Sequence, residues 1–99
     1  MKKEIFDKYI QAIAKKYGIT KEELFSKTKK RELVDARQMV FYLCSQRNMR
    51  VGYIQRYFRD SGFDVSHSTI IHGINRATDM VQSDDDISRI LTDIKECTY

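Results

Sequence analysis

A chain of 99 residues with 41% hydrophobic and 32% charged residues, four glycines and no proline has an ordinary globular balance, and at this length it buries roughly 60–65% of its unfolded surface around one core. One domain spanning 1–99 is expected, and disordered or collagen-like classes are excluded. The net charge of +4 conceals an asymmetry: residues 1–59 hold 15 lysines and arginines against 6 acidic residues, and residues 60–99 hold 3 against 8. The first predicted element is a helix with Ile5, Tyr9, Ile13 and Tyr17 on one stripe, ended by Gly18 in a left-handed cap. Thr20 and Glu23 form a capping-box pattern that opens a short helix through Leu24 and Phe25. The segment "SKTKKRE" has no apolar face and reads as a basic loop. A longer helix should then run from Arg31 or Glu32 through "LVDARQMVFYLCSQR", with Leu33, Ala36, Val40, Leu43 and Cys44 inward, weakening at Asn48.

"VGYIQRYF" predicts a helix of about two turns, and "RDSGFDV" a gap pivoting on Gly62. Ser66, or Asp64 on a slightly earlier reading, caps a helix with apolar positions Ile70, Ile71, Ile74, Ala77 and Val81. Acidic residues in "SDDDI" suit the start of a last helix, approximately 84–96, carrying Ile87, Ile90, Leu91 and Ile94. The pattern is all-α, with about six helices and no strand; Ile13, Val40, Leu43, Ile54, Phe58, Ile70, Ile74 and Ile90 are expected in one core. Residues 51–81 have the outline of a helix-turn-helix with an extended turn.

Cys44 and Cys97 form no C-x-x-C pair, which points to free thiols in a reducing, cytoplasmic setting. No secretory leader and no run of apolar residues of membrane-spanning length are apparent. Convincing paired carboxylates, a nucleophile relay and a phosphate loop are all missing, so an enzyme is not expected. No cofactor is implied either. His67 and His72 lie roughly 140° apart around a helix, an arrangement that does not let them share a metal ion. The lysine and arginine excess suits a polyanion, because neutralising phosphates releases counterions.

The stretch "VSHSTIIHG", Val65 to Gly73, resembles the recognition motif of the C-terminal DNA-binding domain (domain IV) of the bacterial chromosomal replication initiator, DnaA, which runs approximately arginine, aspartate, histidine, threonine, threonine, valine, leucine, histidine, alanine. His67 and Thr69 match, and Ser68 replaces a threonine. "RELVDARQMVFYL" resembles the same family's loop-to-long-helix signature at Arg31, Arg37, Gln38 and Met39, and "YIQAIAKKYGITKEELFSK" resembles the segment before it. The resemblance implies a DnaA C-terminal-domain-like, Trp-repressor-like helix-turn-helix that binds double-stranded DNA. By it, His67, Ser68 and Thr69 contact bases in the major groove. Lys27, Lys29, Lys30 and Arg31 face the minor groove or backbone, and Arg37 and Gln38 face phosphates. Arg50 and Arg56, with Arg59, flank the first helix of the motif, and Arg76 lies further along the second; these are candidate backbone contacts.

The sequence departs from the family at Val65 and Ser66, which stand in place of arginine and aspartate, and at Asp35 and Ala36, which replace arginine and proline. Its turn is about four residues longer. The ATPase segment of an initiator is not within these residues. The reading is therefore a DNA-binding module, monomeric alone, acting in replication initiation or its regulation, with room for a separate replication or regulatory protein as a partner. A protein-interaction or structural domain derived from such a module is the alternative.

Overall fold

Most helix ends are written in the local sequence. The computed structural model describes residues 2–97, without the side chains of Glu96 and Cys97, and contains α1 (Lys2–Tyr17), α2 (Lys21–Leu24), α3 (Arg31–Gln46), α4 (Val51–Asp60), α5 (His67–Ser83) and α6 (Asp85–Cys97). No strand occurs among the described residues. Three helices stop in the same way. Gly18, Asn48 and Gly62 adopt φ of 63°, 60° and 97°, and after each the next amide reaches back five residues: Ile19 to Ala14 O at 2.9 Å, Met49 to Cys44 O at 3.1 Å and Phe63 to Phe58 O at 2.9 Å. These are Schellman caps, whose left-handed residue is free of strain for glycine and tolerable for asparagine. Asn48 therefore ends α3 through a defined cap rather than merely weakening it.

Helix starts are equally explicit. Thr20 Oγ1 accepts from Glu23 N at 3.0 Å while Glu23 Oε1 accepts from Thr20 N at 3.0 Å, completing the capping box. Asp84 Oδ1 accepts from the amides of Asp86 and Ile87, at 3.0 and 3.3 Å, and opens α6 one residue after α5 ends.

The capped helices assemble around α3, which packs most extensively on α5 and α1. Because neighbours cover it on several sides, α3 buries Leu33, Ala36, Met39, Val40, Phe41, Leu43 and Cys44. Phe58 of α4 joins the rest, lying 5.3 Å from Phe6, 5.4 Å from Phe25, 4.9 Å from Phe41 and 6.0 Å from Phe63, ring centre to ring centre. Ile13, Val40, Leu43, Ile54, Phe58 and Ile70 are fully buried as expected, and Ile74 and Ile90 pack half-buried at the edge. Burial pushes the Cys44 thiol up to about 12, so it is protonated and inert at neutral pH; the side chain of Cys97 lies outside the described residues.

Two expectations need correction. Helix α4 continues through Arg59 and Asp60, so the turn occupies residues 61–66 rather than beginning at Arg59. Ile71, placed with the apolar set of α5, is 49% exposed. The stripe that packs inward uses Ile70, Ile74, Ala77 and Val81, and Ile71 stands about 100° away from Ile70.

The α3–α5 crossing is close because position 73 has no side chain. A Cβ on Gly73 would lie 2.7 Å from Phe41 Cδ2 and 3.2 Å from Gln38 Cγ. The motif that this stretch resembles has alanine there, so installing it tests the packing. Gly73→Ala gains about 1 kcal/mol of helix propensity, but overpacking against a ring held by Phe58 costs about 1–3 kcal/mol. We expect net destabilisation in urea unfolding, reversed in sign when Phe41 is first shortened to leucine. Stabilisation by Gly73→Ala with Phe41 intact would mean that the ring moves aside freely.

Candidate nucleic-acid interface

Beyond Phe25, which packs on Phe6 and Phe58, the segment joining α2 to α3 is lysine-rich and has no hydrophobic side chain, so something else must hold it. That role falls to Arg37, whose Nε donates to Leu24 O at 2.7 Å, Nη1 to Thr28 O at 3.1 Å and Nη2 to Ser26 O. The other surface of its guanidinium lies 4.5 Å from the centre of the Phe63 ring. Burial lowers the pKa of Arg37 from its ordinary value, yet an arginine remains charged at any physiological pH. Ser26 and Thr28 are half-buried, and Lys27, Lys29 and Lys30 are exposed. Arg31 begins α3 and pairs with Asp35 at 3.5 Å with 76% of its side chain exposed. Such a pair is weak in water and yields readily to a phosphate.

The turn between α4 and α5 is fixed from both ends. Phe63 packs against Phe58, and Gln55 Nε2 donates to Val65 O at 2.9 Å. Ser66 Oγ then accepts from Thr69 N at 3.1 Å and lies 2.9 Å from Thr69 Oγ1, so Ser66 is the cap of α5 and the Thr69 hydroxyl is drawn into it. His67 and Ser68 remain exposed in the first turn of α5 without such a commitment. The exposed face continues through Ile71, His72 and Asn75. Thr69 and His72 border a cleft of about 130 Å³ together with Gln38, Phe41 and Phe63, which places the start of α5 beside the start of α3 and its basic approach.

The structure thus brings Lys27, Lys29, Lys30 and Arg31 to one side of Arg37 and the turn leading to His67, Ser68 and Thr69 to the other. It does not leave Arg37 or Gln38 facing outward, as expected from the motif. They are 6% and 8% exposed, Arg37 because the α2–α3 segment and Phe63 close over it and Gln38 because α5 crosses closely at Gly73. Arg37 spends its donors on backbone carbonyls, and Gln38 Oε1 is buried with no hydrogen-bond partner among the described residues. Arg50 is exposed at the start of α4, Arg56 is exposed and 4.0 Å from Asp60, Arg59 is exposed, and Arg76 is half-buried along α5. Sequence reasoning missed Ile71 and Asn75 as members of the exposed face; counting strictly by 3.6 residues would have separated Ile71 from the inner stripe. Among the described residues no group of three His, Cys, Asp or Glu side chains is placed to hold a metal ion, and no helix is long and apolar enough to cross a membrane.

Two helices joined by a pinned turn, the second capped and presenting polar side chains from its first turn, define a helix-turn-helix protein. Residues 6–77 match the family described as the bacterial dnaA protein helix-turn-helix, and the chain belongs to that family. Similar proteins include Chromosomal replication initiator protein DnaA 2 of Chlamydia caviae, 34% identical over 80 residues, or 80% of this chain and 16% of that protein. DnaA of Mycoplasma genitalium is 26% identical over 95 residues, 93% of this chain and 21% of the relative. DnaA 1 of Chlamydia trachomatis is 28% identical over 88 residues, 86% and 18% of the two chains. The chain therefore spans about a fifth or less of the length of these relatives.

Proposed function

We propose that this chain reads a short site in double-stranded DNA, with the first turns of α5 in the major groove and the basic segment before α3 on the backbone or in the adjacent minor groove. The observation that carries this reading is the exposed start of α5 standing next to a lysine loop fastened to the same turn. His67 and Ser68 supply hydrogen bonds to base edges, and Thr69, partly engaged by Ser66, supplies its methyl group and backbone position. Ile71 extends the reading surface with an apolar contact suited to a thymine methyl. Lys27, Lys29, Lys30 and Arg31, with Arg50, Arg56 and Arg76, provide the sequence-independent part.

Docking of the second helix by its N-terminal residues, as in Trp-repressor-like proteins, belongs to the same proposal. The names of the relatives concern chromosomal replication initiation. We extend to this chain a part in initiation or its regulation, carried out in the cytoplasm by a monomer alongside a separate replication or regulatory protein.

Selection of bound duplexes from a random pool, followed by competition titrations, tests the reading. Substituting His67, Ser68 or Ile71 by alanine should remove up to about 1–3 kcal/mol of preference for the selected site where a base contact is lost. For Ile71 the loss should match that of replacing thymine by uracil, with little further loss when both changes are combined. Val65→Arg with Ser66→Asp should move preference toward the initiator family's box, since aspartate preserves the cap of α5. Equal binding of selected, family and scrambled duplexes, with ranking indifferent to His67 and Ser68, would defeat the specific-reader proposal. Absence of duplex binding at low salt would point to a protein-interaction domain.

A further inference from the structure

We infer that Arg37 is a positioning residue: it fastens the basic segment to the helix-turn-helix turn and so sets the distance between the two elements proposed to engage DNA. The inference rests on the proposed function and deepens it, and it assigns Arg37 no phosphate of its own. Three carbonyls from alternate residues, Leu24, Ser26 and Thr28, converge on its three guanidinium nitrogens. Between and beyond them lie the exposed Lys27, Lys29 and Lys30. The guanidinium face rests on Phe63, four residues before His67 and itself seated on Phe58.

Among the described residues no carboxylate lies within 4.0 Å of Arg37. A buried charge without a carboxylate partner is a poor way to stabilise a fold, and an apolar side chain of similar volume often does better. What the planar fork does provide is simultaneous, directional tethering of three points on one loop. Without it, the stretch after Phe25, whose ring is seated on Phe6 and Phe58, is held by short-range contacts: Ser26 N and Oγ with Glu23 O, Lys30 N with Thr28 Oγ1, and Lys30 O with amides in the first turn of α3. The ion pair of Arg31 with Asp35 lies beyond the segment, on α3 itself.

A lysine at position 37 keeps the charge but has a single ammonium that cannot span the three carbonyls, and this separates the two roles open to the residue. Arg37→Lys and Arg37→Met should be compared with wild type and with a Lys27/Lys29/Lys30→Ala variant. Binding to the selected duplex is titrated over a range of salt concentrations, below the melting midpoint of every variant. Both Arg37 variants should lose about tenfold in affinity and lower the salt slope by more than the single unit that one phosphate contact supplies, while retaining the ranking of sites that differ in the bases read by α5. In the triple-alanine background Arg37→Lys should cost little more. Near wild-type binding by Arg37→Lys, with a one-unit loss for Arg37→Met, would make Arg37 a direct phosphate contact and overturn the inference. So would losses simply additive with those of the lysines.

Hydrogen exchange on the free protein gives a readout independent of DNA. The amides of Lys27–Lys30 and of Phe63–Val65 should exchange faster together in Arg37→Lys; faster exchange in the loop alone would show that the turn is not coupled to it. If the Arg37 variants do not fold, Phe63→Leu decides. It keeps the three tethers but removes the stacked ring, and should raise loop exchange and reduce affinity severalfold, whereas unchanged loop exchange would overturn the coupling. Wild type that binds no duplex, with exchange still coupled, would refute the proposed function and leave the clamp standing.

Discussion

Phe58→Ala should remove about 3–5 kcal/mol of stability, a large share of the roughly 5–15 kcal/mol available to a small domain. Phe58 is fully buried and touches rings contributed by α1, the end of α2, α3 and the turn into α5. Removing it therefore opens one cavity beneath four segments that share no other common contact of this kind. These rings hold one another edge to face, an arrangement that adds to the area they bury, and no single neighbour can collapse into the void without leaving its own partners. Urea unfolding should show the midpoint falling far more than for Tyr53→Ala, at a residue that is 39% exposed. A loss below about 1.5 kcal/mol would mean that the cluster repacks, contrary to the usual cost of removing a buried aromatic. Because Phe58 also seats Phe63, surviving folded protein should have a disordered turn.

Neutralising Lys27, Lys29 and Lys30 together should produce the largest effect on duplex binding. Each phosphate contact contributes about 0.9 to the slope of log affinity against log salt, so three lysines account for nearly three units and about a hundredfold in affinity near physiological salt. The side chains are exposed and form no ion pair among the described residues, so their removal should leave the melting temperature nearly unchanged. Fluorescence anisotropy from low to moderate salt would measure both quantities. A slope unchanged within half a unit would place the DNA backbone elsewhere on the molecule and remove the loop from the proposed interface.

Helices and caps were legible because each depends on residues close in sequence: the Thr20–Glu23 box, Ser66, Gly18 and Gly62 all act within a turn. The core was legible where apolar spacing was clean, as at Ile54 and Phe58 or Ile70 and Ala77. Arg37 and Gln38 were expected to face phosphates by the family resemblance, and their burial depends on elements distant in sequence, the α2–α3 segment and Phe63 for Arg37 and α5 for Gln38. The apolar run "MVFYLC" immediately after them was the available signal that α3 is enclosed. Asn48 was read through its helix propensity, yet its tolerance of φ near 60° is what the chain uses. For the candidate site, the exposure of His67 and Ser68 followed from the cap one residue earlier. The link from Arg37 to Phe63 spans separate elements and left no periodic trace.

Helix α5 carries the proposed reading residues at its first turn and is followed at once by Asp84, Asp85 and Asp86. At a rise of 1.5 Å per residue the two ends are about 25 Å apart, several Debye lengths at physiological ionic strength. The helix is thus a rod with an anion-repelling tip, and its opposite tip carries the positive end of the macrodipole after the turn to which Arg37 fastens the lysine-bearing segment. Near a polyanion such a rod experiences a torque as well as an attraction. On the proposed reading the molecule would turn while still diffusing, and collisions that present the acidic tip would be discouraged before any atoms meet. Orientation would then be partly settled during approach, and added salt should slow capture by shortening the distance over which that turning begins.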